Sequence, residues 1–407
     1  MVIFNNKGMA LLITLALIAV LMTAALELVR NSGDSAELER KITDRLQAQE
    51  MARSGIELAM FILTRDAEQN DIDSLQEMWA SPYVVASAVE LLGFDQNQGS
   101  LDVVITDELG KIQVNALLEQ FPGNIANNDQ IALWERFLNI AISSDKSLDL
   151  RDPAEIINSL KDWLDSGDDD AISGLSGAES DYYEALDPPI FCSNGPLNSV
   201  EELFMIKGIP KNITSIPAKL IEKSIVNLPD SATYKPFGLN NSPTKNSNIE
   251  SKSDMISDTL SEEYLTLEPD RIFTVYGIDS NKKEGSKFAY SGKININTAD
   301  VAVLAAMLPI GMEDQASELA NFRIEKGENR DIFTNSLDSG WYKKVISLSP
   351  KDAKAFEKIV RYSSDLFRVD ATANVNGVDA SLTGFIKREK RGKSGKWGCT
   401  IIQLTGN

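Results

Sequence analysis

The sequence predicts an α+β fold in which one long N-terminal helix joins an antiparallel sheet that two helical insertions interrupt. Three observations carry this. Residues 9–66 open on an uncharged apolar run and continue at helical spacing without a proline. Strand-like alternation appears near residue 101, again within 271–296, and again from residue 366 onward. Between those stretches lie two blocks with helical periodicity. A sheet split twice by helices, behind one long helix, matches no standard repeat pattern.

The composition bounds the chemistry. The chain has 407 residues, 40 Lys and Arg against 60 Asp and Glu, a formal net charge of -20, two Cys and no His. That length suits roughly two to four domains, and 43% hydrophobic residues is enough to build cores. Without an imidazole there is no Ser-His-Asp triad, no Cys-His pair and no HExxH zinc site. The acidic balance argues against nucleic acid as the main partner, because that affinity comes from Lys and Arg neutralising phosphates. Carboxylate chemistry and hard cations fit the residue types present.

The first element follows Met1–Gly8 (MVIFNNKG). Met9–Leu26 is a run of 18 residues without a charge, with Thr14 and Thr23 as its polar members, at the threshold for crossing a bilayer. A secretory signal has a shorter apolar core, of about 7 to 15 residues. Downstream, Leu38, Ile42 and Leu46, then Ala52, Ile56, Ala59 and Leu63, fall at helical spacing. If unbroken, residues 9–66 would form a rod of roughly 87 Å. Gly33 is the expected place for a bend, and Gly55 also weakens the helix.

A polar leader with one Lys that ends in Gly, then a membrane helix merging into an amphipathic one, resembles the type IV pilins and pseudopilins. That resemblance implies cleavage after Gly8 by a prepilin peptidase and methylation of the new amino terminus at Met9. Most pilins carry Glu at the fifth residue after the cut, where it neutralises a neighbouring subunit's amine. Here the residue is Ile13. A carboxylate in hydrocarbon is costly without a partner, so a subunit with nothing above it has reason to omit one. The expectation is a filament tip.

Residues 101–115 read as a hairpin around Asp107–Gly110, alternating at Leu101, Val103 and Ile105 and again at Ile112 and Val114. A helical block follows, with Ile131, Trp134, Phe137, Leu138 and Ala141 on one face and Ile156, Ile157, Leu160, Trp163 and Leu164 on another. Leu197–Ile209 is expected to be a helix with Ser199 as cap, Glu202 three residues on and Gly208 as its stop. Residues 240–263 are expected to be a mobile loop. Strands are expected at Arg271–Gly277 and Phe288–Ile296, a second helical block at Thr298 to about Pro350, and final strands at Leu366–Thr372, Gly384–Arg391 and Trp397–Leu404. The last hairpin tip, Lys387–Lys396, carries six basic residues against one acid. It reads as a solvated hairpin with docking as the functional alternative.

The segment Asp162–Ile206 holds 11 acidic residues and no Lys or Arg. Asp162, Asp165, Asp168, Asp169 and Asp170 crowd together, and Glu179 and Asp181 follow. Such a loop repels itself unless a cation sits within it, and Ca²⁺ takes six to eight oxygens from flexible loops. It fails the EF-hand template, and a solvated acidic loop is the plain alternative. The second block, GKININTADVAVLAAML followed by PIGMEDQASELANFRIEKG, is similar to a helix-hairpin-helix or SAM-like unit, a unit that grips phosphate through hairpin N–H groups. Its hairpin, Pro309–Asp314, has two acids and no base, which favours a packed helical insert. Gly392–Ser394 (GKS) lacks the first Gly of a Walker A loop and is rejected. Cys192 and Cys399 are an even pair, either disulfide-bonded or two buried free thiols.

With these segments in order, the chain resembles type II secretion system protein K, a minor pseudopilin family, nearly end to end. The matching features are the Gly8 site with Ile13, GKIQVN at 110–115, the Trp-Leu-Asp acidic stretch with Gly-Ala-Glu and Tyr-Tyr, PLNSVEEL at 196–203, and ININ-Thr-Ala at 294–299. Residues 240–263 have no clear family counterpart. The resemblance implies a pilin-like roll with two SAM-like insertions. It implies two calcium ions, with Asp162, Asp165, Asp168, Asp170 and Glu179 as candidate ligands. It also implies a non-enzymatic cap of the pseudopilus, in complex with minor pseudopilins I and J, that starts assembly and contacts the secretin or the exported cargo. The chain would cross the inner membrane once with its bulk in the periplasm. The implied divisions are leader 1–8, helix 9–68, first sheet part 69–115, first insert 116–230, linker 231–268, strands 269–296, second insert 297–350 and final strands 351–407. The alternatives are a minor pilin of a type IV pilus, a membrane-anchored DNA receptor, and a secreted carboxylate enzyme.

Overall fold

The computed structural model describes residues 7–93, 99–144, 152–167, 177–225, 264–279, 285–327, 332–392 and 395–406. Helix α1, Lys7–Ala67, is continuous through Gly33. Its N-terminal part is long and apolar enough to cross a membrane by length and composition, and Leu11 to Met22 present bare apolar side chains. Further on, Ala48, Ala52, Ile56, Ala59 and Leu63 are buried while Leu38, Ile42 and Leu46 stay exposed. The sheet explains the split. It covers α1 only from Asp44 onward, where Asn376 Nδ2 donates to Asp44 Oδ1 at 2.9 Å.

The sheet has four antiparallel strands in the order β1 (Gly99–Asp107), β8 (Leu366–Val375), β9 (Val378–Arg391), β10 (Lys396–Gly406). Ile105 faces Val369, and Cys399 faces Arg388. Val103, Ile105, Phe367, Val369, Ala371, Ala373 and Ile386 alternate onto the face that packs on α1, as period-two strands with one buried face must. Gly55 lies tight against the sheet: a Cβ there would sit 2.8 Å from Val103 Cγ2 and 3.2 Å from Ala371 Cβ. A residue that costs helix propensity is thus what allows the helix onto the sheet.

The expected 101–115 hairpin does not form. β1 pairs with β8, and the two-residue β2 (Ile112–Gln113) pairs in parallel with β5 (Phe273–Thr274). Asp107 redirects the chain. One carboxylate oxygen accepts from Leu109 N–H at 2.8 Å, and the other accepts from Thr298 Oγ1 and Ser364 Oγ at 2.6 Å each. Arg271–Gly277 and Phe288–Ile296 likewise do not join the four-stranded sheet and form strand only over two residues each. They contribute α7 (Pro269–Ile272), β5 and β6 (Ile294–Asn295), which pairs in parallel with β7 (Val360–Arg361), while β3 (Ser215–Pro217) pairs with β4 (Tyr264–Thr266). The two segments' apolar residues are buried in the insert core instead, because an apolar run marks burial without saying which layer buries it.

Helix α2 (Pro82–Glu90) precedes β1, and among the described residues the helices of the first insert are α3 (Asn128–Ser144), α4 (Pro153–Leu164), α5 (Ser180–Glu184) and α6 (Ala218–Ile225). The expected faces hold: Trp134, Phe137, Leu138, Ile156, Leu160 and Leu164 are fully buried. Leu197–Ile209 is shorter than expected, a 3₁₀ turn over Val200–Met205, in which Ser199 makes no capping bond and Glu202 Oε1 accepts from Asn198 N–H. It ends at Ile206 rather than at Gly208, which forms the following turn at φ +83°. The second insert follows with α8 (Val301–Met307), α9 (Ala316–Ile324) and α10 (Pro350–Ile359). Both inserts share one hydrophobic core, in which Trp134 stacks on Phe273 at 5.1 Å and α8 is buried throughout.

The ININ segment joins this core to the roll. Asn295 Nδ2 lies within hydrogen-bond distance of Asp107 Oδ2, Ser364 Oγ and Asp73 O, and Asn297 Oδ1 accepts from Trp341 Nε1 at 2.7 Å. Both asparagines are fully buried, so these bonds satisfy groups that would otherwise be costly to enclose. The segment 240–263, expected to be a loop, lies outside the described residues.

Candidate metal centre

Helix α4 begins with Asp152, whose side chain accepts from Ala154 N–H, and with Pro153 in its first turn. It ends where the acidic stretch begins. Asp162 is fully buried in its last turn, and Asp165 follows the helix, accepting from Gly167 N–H at 3.1 Å. The chain returns through 177–183. Tyr183 packs edge-on against Trp163 at 4.8 Å and its hydroxyl accepts from Lys207 N–H at 3.2 Å. Lys207 Nζ donates to Gly177 O at 3.1 Å and lies 4.7 Å from the Tyr182 ring. These contacts press the loop onto the end of α4 and deliver Glu179.

Asp162, Asp165 and Glu179 each present a carboxylate oxygen, and all three lie within 4.8 Å of one another. Oxygens bonded to one Ca²⁺ at about 2.4 Å can be no more than about 4.8 Å apart, so this spacing fits a shared calcium ion. The donor set is all oxygen, which suits a hard cation. Burial pushes the Asp165 carboxyl above its ordinary range, opposed by the Gly167 N–H and by Lys161 and reinforced by Asp162. A bound cation would favour the ionised forms. Of the five expected ligands, three are brought together here; Asp168 and Asp170 lie outside the described residues.

Sequence reasoning missed a second acidic cluster. Carboxylate oxygens of Asp66, Asp73 and Glu77 also lie within 4.8 Å of one another. Here the chain supplies the cation: Arg388 donates to Asp66 Oδ2 at 2.9 Å and to Asp73, and also to the carbonyls of Leu63 and Ser364. Glu77 Oε2 accepts from Trp79 Nε1 at 2.7 Å and from Ser74 N–H at 3.1 Å. Burial first, then the charges of Asp66 and Asp73, push Glu77 up to about 8. Asp73 rises to about 6, where burial outweighs Arg388.

Two other expectations resolve differently. Cys192 and Cys399 lie in separate cores and are not joined by a disulfide, which corrects the disulfide alternative. Cys192 packs on the insert core at Trp163 O, whereas Cys399 sits in the roll core against Thr64 Oγ1 at 3.4 Å. At the second insert's hairpin, Gly311 N–H donates to both oxygens of Glu313 at 2.9 Å. A carboxylate of the chain itself takes the place a phosphate would need.

Comparison with known proteins agrees with this architecture. Residues 110–216, which include the Asp162 cluster, match the family model for type II secretion system (T2SS) protein K. The chain is similar to type II secretion system protein K. The protein K of Klebsiella pneumoniae is 28% identical over 208 residues, covering 50% of this chain and 59% of that protein. The protein K of Aeromonas hydrophila is 25% identical over 250 residues, covering 57% and 68%. The chain thus spans about three fifths of the length of the first of these relatives. The fold matches a chain in the crystal structure of the GspK-GspI-GspJ complex from the type 2 secretion system of enterotoxigenic Escherichia coli, with a TM-score of 0.52, 14% identity, and coverage of 91% of this chain and 99% of that one.

Proposed function

We propose that this chain is a minor pseudopilin that caps the tip of the type II secretion pseudopilus and helps start its assembly. The observation that carries this is the protein K match over residues 110–216, within a fold that combines an exposed apolar helix with a roll. The apolar part of α1 would anchor the chain in the inner membrane, with the roll and inserts in the periplasm. Minor pseudopilins I and J are the proposed partners, by analogy with the complex that the matched E. coli chain forms. The prepilin peptidase would cut between Gly8 and Met9, and the secretin and exported cargo would be met at the tip. Neither catalysis nor nucleic-acid binding belongs to this role.

Within it, Asp162, Asp165 and Glu179, with Asp168 and Asp170 from the same loop, would hold calcium, two ions by the family resemblance. Bound calcium would neutralise the crowded carboxylates and stiffen the insert, a structural contribution.

Mass spectrometry of the mature protein, from cells with an active prepilin peptidase, tests the assignment. A methylated Met9 amino terminus and co-purification with I and J subunits are expected. An amino terminus elsewhere, or no complex, would overturn it.

A further inference from the structure

The two inserts jointly line a cleft that includes none of the carboxylates at the end of α4. Its volume is about 420 Å³, within the range of sites that enclose a small ligand or a few docked side chains. Helix α3 contributes Ala132, Glu135, Arg136 and Asn139, which share one face at the i, i+3, i+4, i+7 spacing. The start of α4 adds Asp152 and Pro153. From the second insert come Ile310, in its hairpin, and Asp352, in the first turn of α10.

The donors and acceptors of this lining are unevenly used. Arg136 is half-buried, and its Nε donates to Ala306 O at 2.6 Å, which fixes the guanidinium between α3 and the end of α8. Burial pulls its pKa downward, with Glu135 opposing. Among the described residues Arg136 makes no ion pair, so its outer N–H groups keep capacity for an acceptor such as a main-chain carbonyl. The carboxylates outnumber it. Asp152 Oδ1 accepts from Ala154 N–H at 3.1 Å and Asp352 Oδ2 accepts from Ser349 Oγ at 2.5 Å, which leaves the second oxygen of each for a ligand. Glu135 is exposed. Ile310, 77% exposed, adds an apolar surface to the same lining.

We propose that this cleft docks a short basic segment of a protein partner. Lys or Arg side chains of the segment meet Glu135, Asp152 and Asp352, a neighbouring apolar side chain packs on Ile310, and main-chain carbonyls accept from Arg136. Charge complementarity selects this occupant. Three carboxylates and one guanidinium leave the lining negative, so a phosphate or carboxylate bound to Arg136 would be opposed by like charges around it. A lone metal ion would share the cleft with a fixed guanidinium. A peptide answers both signs at once, because its backbone supplies acceptors and its side chains supply cations. The inference rests on the lining alone and stands whether or not the chain caps a pseudopilus.

The test uses the full chain in micelles of a neutral detergent and the fluorescence anisotropy of a labelled Lys-Leu-Lys-Leu peptide, with empty micelles as the blank. Binding should weaken between about 0.05 and 0.2 M salt and fall about tenfold or more in Glu135→Lys. Ile310→Ser should weaken it several-fold. Both side chains are exposed, and circular dichroism checks the fold. Glu90→Lys, an equal charge change on α2, should bind like the parent, which separates the cleft from general attraction to an acidic chain. No peptide binding, equal loss in Glu135→Lys and Glu90→Lys, tighter binding of a Glu-Leu-Glu-Leu peptide, or equally strong competition by free lysine would overturn the proposal.

Discussion

Arg388 on β9 donates to Asp66 in the last turn of α1 at 2.9 Å, with both side chains about 5% exposed. The same guanidinium bonds Asp73 and lies 4.8 Å from the Phe367 ring centroid. It ties the helix, the loop after it and the sheet to one buried cation.

Replacing Arg388 with Met should destabilise the head by about 3 to 5 kcal/mol, because two buried carboxylates lose their partner. Denaturant unfolding of the full chain in detergent measures this. Arg388→Lys should recover only part, since a single ammonium cannot reproduce the forked contact with two carboxylates and two carbonyls.

The carboxylates around Arg388 set a pH dependence. Glu77 titrates near 8 in the fold and ordinarily near 4.5, so the fold retains a proton that the unfolded chain releases. Its contribution to stability is fully present below about pH 4.5 and is lost as pH rises through 8. Asp73, raised to about 6, acts in the same direction over a lower window. Melting temperature should therefore fall between pH 5 and 8, and Glu77→Gln should flatten that slope while keeping an acceptor for the Trp79 indole N–H.

Gly55→Ala should lower stability by about 1 to 3 kcal/mol although alanine is the better helix former, because the added carbon meets Val103 and Ala371. Gly33→Ala, where nothing lies within 4 Å, should be neutral or slightly stabilising. Thermal melts of the two variants separate the effects.

Calcium should raise the melting temperature and a chelator should reverse it. An ion at 100 times its dissociation constant contributes about 2.7 kcal/mol. Asp165→Asn and Glu179→Gln should each shrink the calcium-dependent shift while leaving the chelated protein close to the parent. The absence of any shift in the parent would defeat the calcium assignment.

Local pattern was readable where neighbours in sequence decide the outcome. The buried faces of α3 and α4, the α1 register and the three final strands all follow from spacing. Asp162, Asp165 and Glu179 stood out together as members of an acidic stretch without Lys or Arg, and their choice as ligand candidates came through the family resemblance. What spacing could not reveal was pairing at long range. Arg388 read as part of a basic tip, since its carboxylate Asp66 lies 322 positions earlier. The 101–115 alternation was correct for its first strand, but its partner lies beyond both inserts. Asp107, an ordinary turn residue by sequence, is the acceptor around which the inserts join the roll.

That β1 pairs with β8 has a further consequence for how the molecule is made. About 260 residues separate the two strands, and closing so long a loop costs about 4 kcal/mol more entropy than closing a four-residue hairpin. β1 must wait until nearly all of the chain has been synthesised. Until then its edge, and the face of α1 beneath it, have no cover, whereas the inserts can condense around Trp134 and Phe273 within their own sequence. The head should thus assemble in reverse spatial order, outer core first and roll last. A chain cut short after the inserts would keep a folded core on an unfinished stem.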